Sequence, residues 1–355
     1  MRRSFAAFLV AAAFAPVSIA WDAAGHATIT LLALDRFKAT AQPPVWINEE
    51  ASRAMIAWQS GEPDRWRGLR TPTLRHENEP DHYLDVEDLE PFGLTLRTVP
   101  MLRNEYVKAM VIAREKHPEK FKPINPAMDP AKTQEYPGFV AHATMEHYEK
   151  LRSAMNTLRI LEGLADASSE RRKVQIEQTK ANIRVEMGLL AHFVGDTAQP
   201  LHTTTHHHGW VGDNPKGYTT DRGIHAYIDG TIVAFHKLGY ETLRAAGEAK
   251  TGAKAAGEKP VAEGGKVAEL AARVTDIQNP WSDVLSHVER SFAKVEPLYE
   301  MKKSGELEKE AGKAFIAERL TDAGMMLGDL YAAAWKASEP TEAQIADYLK
   351  YEAKP

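Results

Sequence analysis

The chain has 355 residues, with 49 acidic against 44 basic side chains and a formal charge of −5. That balance argues against a broad electrostatic grip on duplex nucleic acid, though not against a small cleft where bound cations supply the positive charge. It has no cysteine, so disulfides and thiolate metal ligands are both excluded, and any zinc must be held by nitrogen and oxygen.

Residues 1–20 read as a signal peptide. Arg2 and Arg3 precede an apolar run from Phe5 to Ala15, too short to span a bilayer, and Ser18 and Ala20 supply the small residues of a cleavage site. The mature chain is expected to begin at Trp21, to be secreted or periplasmic, and to form one domain over 21–355 with no transmembrane segment.

Helical spacing of apolar residues marks His26 to Phe37 and Trp46 to Gln59. Residues 61–95, with Pro63, Pro72, Pro80 and Pro91, read as a long irregular segment. Helical periodicity returns over about 98–116 and 138–165, then in a long helix from about 170 to 195 that Pro200 stops. A loop rich in His, Gly and Thr runs from Leu201 to Arg222, and a further helix from about Gly223 to Leu238. Residues 245–265, dominated by Ala, Gly, Lys and Glu, read as a surface insertion or flexible segment. Two or three more helices fill 282–337, and strand alternation is scarce. The expected fold class is therefore all-α, a single multi-helix domain with long irregular loops.

The sharpest local signal is His192-Phe193-Val194-Gly195-Asp196 followed by Gln199-Pro200-Leu201-His202. Residues four apart share a helix face, so His192 and Asp196 can address one small volume, and His202 can approach from beyond the break at Pro200. His225 and Asp229 repeat the spacing on the next helix. Alone, either pair is ordinary, since a solvated face or a simple His–Asp hydrogen bond gives the same pattern. Asp64 and His82 are further candidates in the irregular segment; by themselves they read as a turn residue and a surface histidine. His206, His207 and His208 cannot all face one ion and read as a solvated loop. His142, His147 and His236 read as packed or exposed without function, and His76, His117 and His287 carry no partner pattern.

Taken in order, these residues resemble a family. Trp21-Asp22-Ala23-Ala24-Gly25-His26 is similar to the opening Trp-Gly-x-x-Gly-His of the trinuclear zinc nucleases of fungi and plants, of the S-one/P-one type. That group shares its superfamily with bacterial zinc-dependent phospholipases C. The resemblance continues through Asp64, His82-Tyr83-x-Asp85, His192-x-x-x-Asp196, the Gln-Pro-Leu-His ending at His202, and His225-x-x-x-Asp229, over about 210 residues. Asp22 stands where glycine is usual, Ile228 where a tryptophan often precedes the last aspartate, and the sequence around Asn214 follows the family's Gly-Gly-Asn loosely.

The resemblance implies three zinc ions. Asp64, His82, His192 and Asp196 hold the first and His202, His225 and Asp229 the second. The amino group and carbonyl of Trp21 hold the third, with His26 and a bridging Asp196. It implies an endonuclease and 3′-nucleotidase acting on single-stranded RNA and DNA and yielding 5′-phosphomonoesters. A hydroxide held between two zincs would attack phosphorus while zinc stabilises the departing 3′-oxygen. Asp64 would orient the nucleophile or act as base, Arg67 would bind the phosphate, and Tyr83 and Asp85 would hold a nucleobase. Two other readings stand beside it. One is a zinc-dependent phospholipase C, disfavoured by the short Trp21-to-His26 spacing and by Asp229 where glutamate is typical. The other is a helical metal-binding protein without catalysis.

Overall fold

The computed structural model describes residues 21–127, 129–255 and 273–352. The signal-peptide expectation and the later part of the 245–265 segment lie outside these residues.

The protein is all-α, and no strand occurs among the described residues. The first helix, α1 (Ala23–Ala41), starts where it does because the Asp22 side chain accepts from the Gly25 amide at 2.9 Å, an N-cap that glycine could not supply. Then come α2 (Glu50–Gln59), α3 (Glu62–Trp66) and α4 (Pro72–Asn78). A 3₁₀ turn over Glu79–His82 and another over Val86–Phe92 follow, before α5 (Arg103–Lys116). The stretch 61–95 is thus more ordered than its prolines suggest. Pro63, Pro72 and Pro80 each sit in the first positions of a helical turn, where the missing N–H has no intrahelical role.

Two long helices follow, α6 (Val140–Gly163) and α7 (Glu170–Ala198), the second opened by Ser169 as N-cap. Pro200 ends α7 as expected, and a 3₁₀ turn over Pro200–His202 follows. The helix anticipated over 223–238 is present as one uninterrupted helical stretch, α8 (Ile224–Ala226), a π turn (Tyr227–Thr231) and α9 (Ile232–Phe235). α10 (Tyr240–Ala255) carries helix into the segment read as insertion or flexible, where residues 245–247 are exposed. α11 (Trp281–Phe292), α12 (Val295–Ser304) and α13 (Glu310–Ala337) account for the helices expected over 282–337, and α14 (Glu342–Glu352) adds one that was not.

One core joins these elements. α1 lies along α13 and α6 along α7, while α13 also touches α6 and α7. Gly324 and Gly328 let α13 approach α1: a Cβ on Gly328 would stand 2.5 Å from Arg36 Cβ, and one on Gly324 2.8 Å from Leu32 Cβ. At this seam the buried Arg36 donates through Nε to Asp329 Oδ1 at 2.8 Å and through Nη2 to Oδ2 at 3.3 Å. The inner half of α7, from Met187 to Ala198, is buried throughout, so whatever polar groups it carries need partners inside the protein. No described helix is long and apolar enough to cross a membrane.

Candidate metal centre

The ionisable groups on this buried half of α7 are His192 and Asp196, and the fold brings the other candidates to them. His26 comes from the first turn of α1, Asp64 from α3, His82 and His202 from the ends of two 3₁₀ turns, His225 from α8, and Asp229 from the π turn. All but Asp64 are buried. Backbone bonds from Leu84 N to His202 O (2.9 Å) and from Val86 N to Thr203 O (3.1 Å) fix the two turns against each other. Three groups result whose ligand atoms lie within reach of one ion: His26 with Asp64 and His192, His82 with His192 and Asp196, and His202 with His225 and Asp229. The last is the set the sequence resemblance assigns to one zinc. In the first two, His192 is shared, because the His26 and His192 rings stack at 4.2 Å and Asp64 Oδ1 lies 4.0 Å from His82 Nδ1. His26 Nε2 is 3.6 Å from Asp196 Oδ1, and His82 Nδ1 is 3.1 Å from Asp196 Oδ2, so Asp196 faces both groups.

The surroundings orient these ligands. His192 Nδ1–H donates to Ser60 O at 2.7 Å and His202 Nδ1–H to His82 O at 2.5 Å, which leaves each Nε2 as a bare lone pair directed into the cluster. Gln199 Nε2 donates to Asp229 Oδ1 at 2.6 Å while its Oε1 accepts from Leu201 N, locking the turn and the carboxylate together. What remains is a set of buried polar atoms with no hydrogen-bond partner: both ring nitrogens of His26 and of His225, His202 Nε2, Asp196 Oδ1 and Asp229 Oδ2. Orphaned atoms of this kind cost ~1–3 kcal/mol each, and here they converge. The donor set, neutral imidazole and carboxylate without thiolate, fits a borderline divalent metal such as zinc.

The electrostatics agree. Burial pushes the carboxyls of Asp196 and Asp229 well above the usual range and raises Asp64. Burial also holds His26, His82 and His225 well below the usual imidazole value, and His192 and His202 down to about 3. Without an added cation the pocket therefore disfavours every charge it can make. Bound cations reverse the preference of the carboxylates and need the imidazoles neutral, as they already are.

Asp64 and Arg67 form the partly open rim, joined by Arg67 Nη1 to Asp64 Oδ1 at 3.3 Å. Trp21 is fully buried; its indole N–H donates to Gly195 O at 3.1 Å, and the amide of Asp22 donates to Asp229 O at 3.3 Å. The start of α1 is thereby seated beside α7 and the π turn, which carry Asp196 and Asp229. Tyr83 is half-buried and its hydroxyl donates to Thr133 O at 2.9 Å, while Asp85 Oδ1 has no hydrogen-bond partner and lies 3.9 Å from His207 Nδ1.

The other histidines divide. His206 stacks on Trp210 at 3.8 Å, and His207 and His208 pack edge to face near His225. His142 Nε2 donates to Pro100 O, His236 Nε2 to Leu307 O and His76 Nδ1 to Ala131 O, while His147 pairs with Glu186 and the exposed His117 with Glu119. His287 is buried in a separate cluster of charged groups. Sequence reasoning did not anticipate Ser60, whose backbone carbonyl carries no sequence signal. Nor did it give a role to Gln199, although the residue stands inside the Gln-Pro-Leu-His motif. Searches against family models, curated proteins and solved structures return no match.

Proposed function

We propose that this protein is a zinc-dependent phosphodiesterase of the S-one/P-one type, exported and processed to begin at Trp21, that cleaves single-stranded RNA and DNA and removes 3′-phosphates from nucleotides. The observation that carries the reading is the convergence of seven buried His and Asp side chains, five of which (His26, Asp196, His202, His225 and Asp229) carry polar atoms with no hydrogen-bond partner. The resemblance in order and spacing of these residues along the chain, described above, supports the nuclease over other zinc enzymes.

Asp196, with His82, His192 and Asp64, would hold one zinc, and His202, His225 and Asp229 a second. His26 and the amino terminus of Trp21 would hold a third, with Asp196 in common. Bound zinc supplies activation of water near neutral pH and neutralisation of charge on the phosphate. The remaining work falls to the chain. Asp64 sits at the rim with its carboxyl raised by burial, suited to accept a proton from the attacking water. Arg67, whose Nε is buried without a partner, offers a planar donor fork to a phosphate oxygen. Tyr83 and Asp85 would hold the base of an unpaired strand, the unpartnered Asp85 Oδ1 accepting from its amino group.

The test is hydrolysis by protein beginning at Trp21, with zinc content measured on the same sample, against single-stranded DNA, RNA, a 3′-nucleotide and a choline phospholipid. Cleavage of the first three, lost in Asp64→Asn and His192→Ala with folding retained, is expected. Lipid turnover alone would replace the nuclease by a phospholipase C. A fully zinc-loaded protein that hydrolyses no phosphodiester would be a non-catalytic metal binder. One residue left before Trp21 should lower zinc content and activity together.

A further inference from the structure

Away from the metal centre, α11 and the first half of α13 meet around a charge cluster that does not balance. Three guanidinium groups, Arg273, Arg290 and Arg319, share one buried carboxylate, Asp322. Arg273 Nη2 reaches Asp322 Oδ1 at 2.8 Å. The other oxygen lies at longer range from two groups, Arg319 Nη1 at 3.7 Å and Arg290 Nε at 3.8 Å. The other acid side chain on these groups, Glu318, is half exposed and pairs with Lys294 as well as Arg319. Four cations thus face two carboxylates.

The hydrogen bonds are as lopsided as the charges. Arg290 donates through Nη2 to His287 Nδ1 at 2.9 Å, so the proton of that imidazole is on Nε2. His287 Nε2, Ser291 Oγ, Arg319 Nε and Nη1, Arg290 Nε and Arg273 Nε are all buried without a hydrogen bond among the described residues; against these six stands one unpartnered acceptor, Asp322 Oδ2, too far from Arg319 Nη1 and Arg290 Nε to satisfy them. His287 and Ser291 are wholly buried and Arg319 is 2 % exposed. Arg273 and Arg290 are the open side, with side chains 36 % and 38 % exposed.

We infer that this junction is a binding site for a small tetrahedral oxyanion of the phosphate or sulfate type. Water can accept from stranded donors but cancels no charge, whereas a dianion answers both deficits. The donors belong to buried side chains and the junction opens only at the partly exposed Arg273 and Arg290, which favours a small free inorganic ion entering between those two residues. This site shares no residue with the metal centre and stands whether or not the phosphodiesterase reading does.

The zinc-loaded protein is titrated with sodium sulfate and with inorganic phosphate at low millimolar concentration and constant ionic strength, following the thermal midpoint. The series is repeated on Arg290→Gln, Arg273→Gln and a distant control, Lys216→Gln. Wild type and the control should show a saturable rise with either anion. Either arginine variant should need at least about tenfold more sulfate, the loss expected for one charge-assisted hydrogen bond. A rise produced by phosphate alone and kept in both arginine variants assigns the effect to the metal centre and overturns the site. So does a rise of equal size and midpoint in all four proteins, or no saturable rise in wild type. The same shift from chloride at matched ionic strength overturns the oxyanion assignment.

Discussion

Gly195→Ala tests the metal centre without removing a ligand. An added Cβ at this position would stand 2.7 Å from His26 Nδ1, 2.9 Å from its Cε1 and 3.4 Å from Ile29 Cδ1. Restoring ordinary contact, about 3.4 Å, requires the His26 ring to retreat by about 0.7 Å. It has little freedom to do so, because the ring also stacks on His192 at 4.2 Å and is buried. Forcing a methyl into such a site costs ~1–3 kcal/mol, while replacing glycine by alanine inside a helix returns ~1 kcal/mol. The metal-free protein should therefore lose at most about 2 kcal/mol and remain folded. Metal binding is far less forgiving, since ligand distances tolerate only ~0.2 Å. The variant should hold the ion at His202, His225 and Asp229 but lose the one that depends on His26, giving about one zinc fewer per chain after dialysis. Zinc content and thermal melting on the same sample check this. Unchanged zinc content and activity with an unchanged melting midpoint would mean that His26 is not a ligand.

Other perturbations follow from single features. Asp329→Ala removes the carboxylate under the buried Arg36 and should destabilise the protein by ~3–5 kcal/mol in denaturant melts; a joint Arg36→Met, Asp329→Leu change should recover most of that. Gln199→Leu frees Asp229 Oδ1 and unlatches the turn before His202, so zinc affinity at that site should fall ~10–100-fold by competition with a chelator. His142 is buried against Tyr106 and burial holds its imidazole down to about 4. Its folded value lies below the unfolded ~6.5, so its contribution is present above pH 6.5 and lost as pH falls through 4, by ~3 kcal/mol in all. His142→Phe should flatten stability across that acid window by a comparable amount, and an unchanged slope would remove His142 as its source.

The long helices were legible because their apolar faces recur at helical spacing over several turns, as in α6, α7 and α13. The segment 61–95 misled because a proline that starts a turn and one that breaks a turn look alike in sequence. Pro63, Pro72 and Pro80 all start one. The pair His225 and Asp229 was visible, but not the π turn that places Asp229 Oδ2 3.4 Å from His225 Nε2. Widened turns of this kind occur often at functional sites and have no sequence signature. Asp22, a departure from the resembled pattern, proves to cap α1. The oxyanion cluster escaped notice because Arg273, His287, Arg290, Arg319 and Asp322 come from separate parts of the chain and meet only after packing.

The seam between α1 and α13 makes an all-helical protein unusually non-local. Arg36 and Asp329, bonded side by side, stand 293 positions apart in the chain, and folding slows as native contacts span longer loops. During synthesis α1 emerges early, and although α2, α7 and α10 cover part of it, the face that packs on α13 stays uncovered until α13 has been made, an interval in which such surfaces aggregate. His26 rides on that waiting helix. Its position against α7 and the π turn is fixed by the contacts of Trp21 and Asp22, but a chain interrupted before α13 leaves the rest of α1 without the seam that holds it.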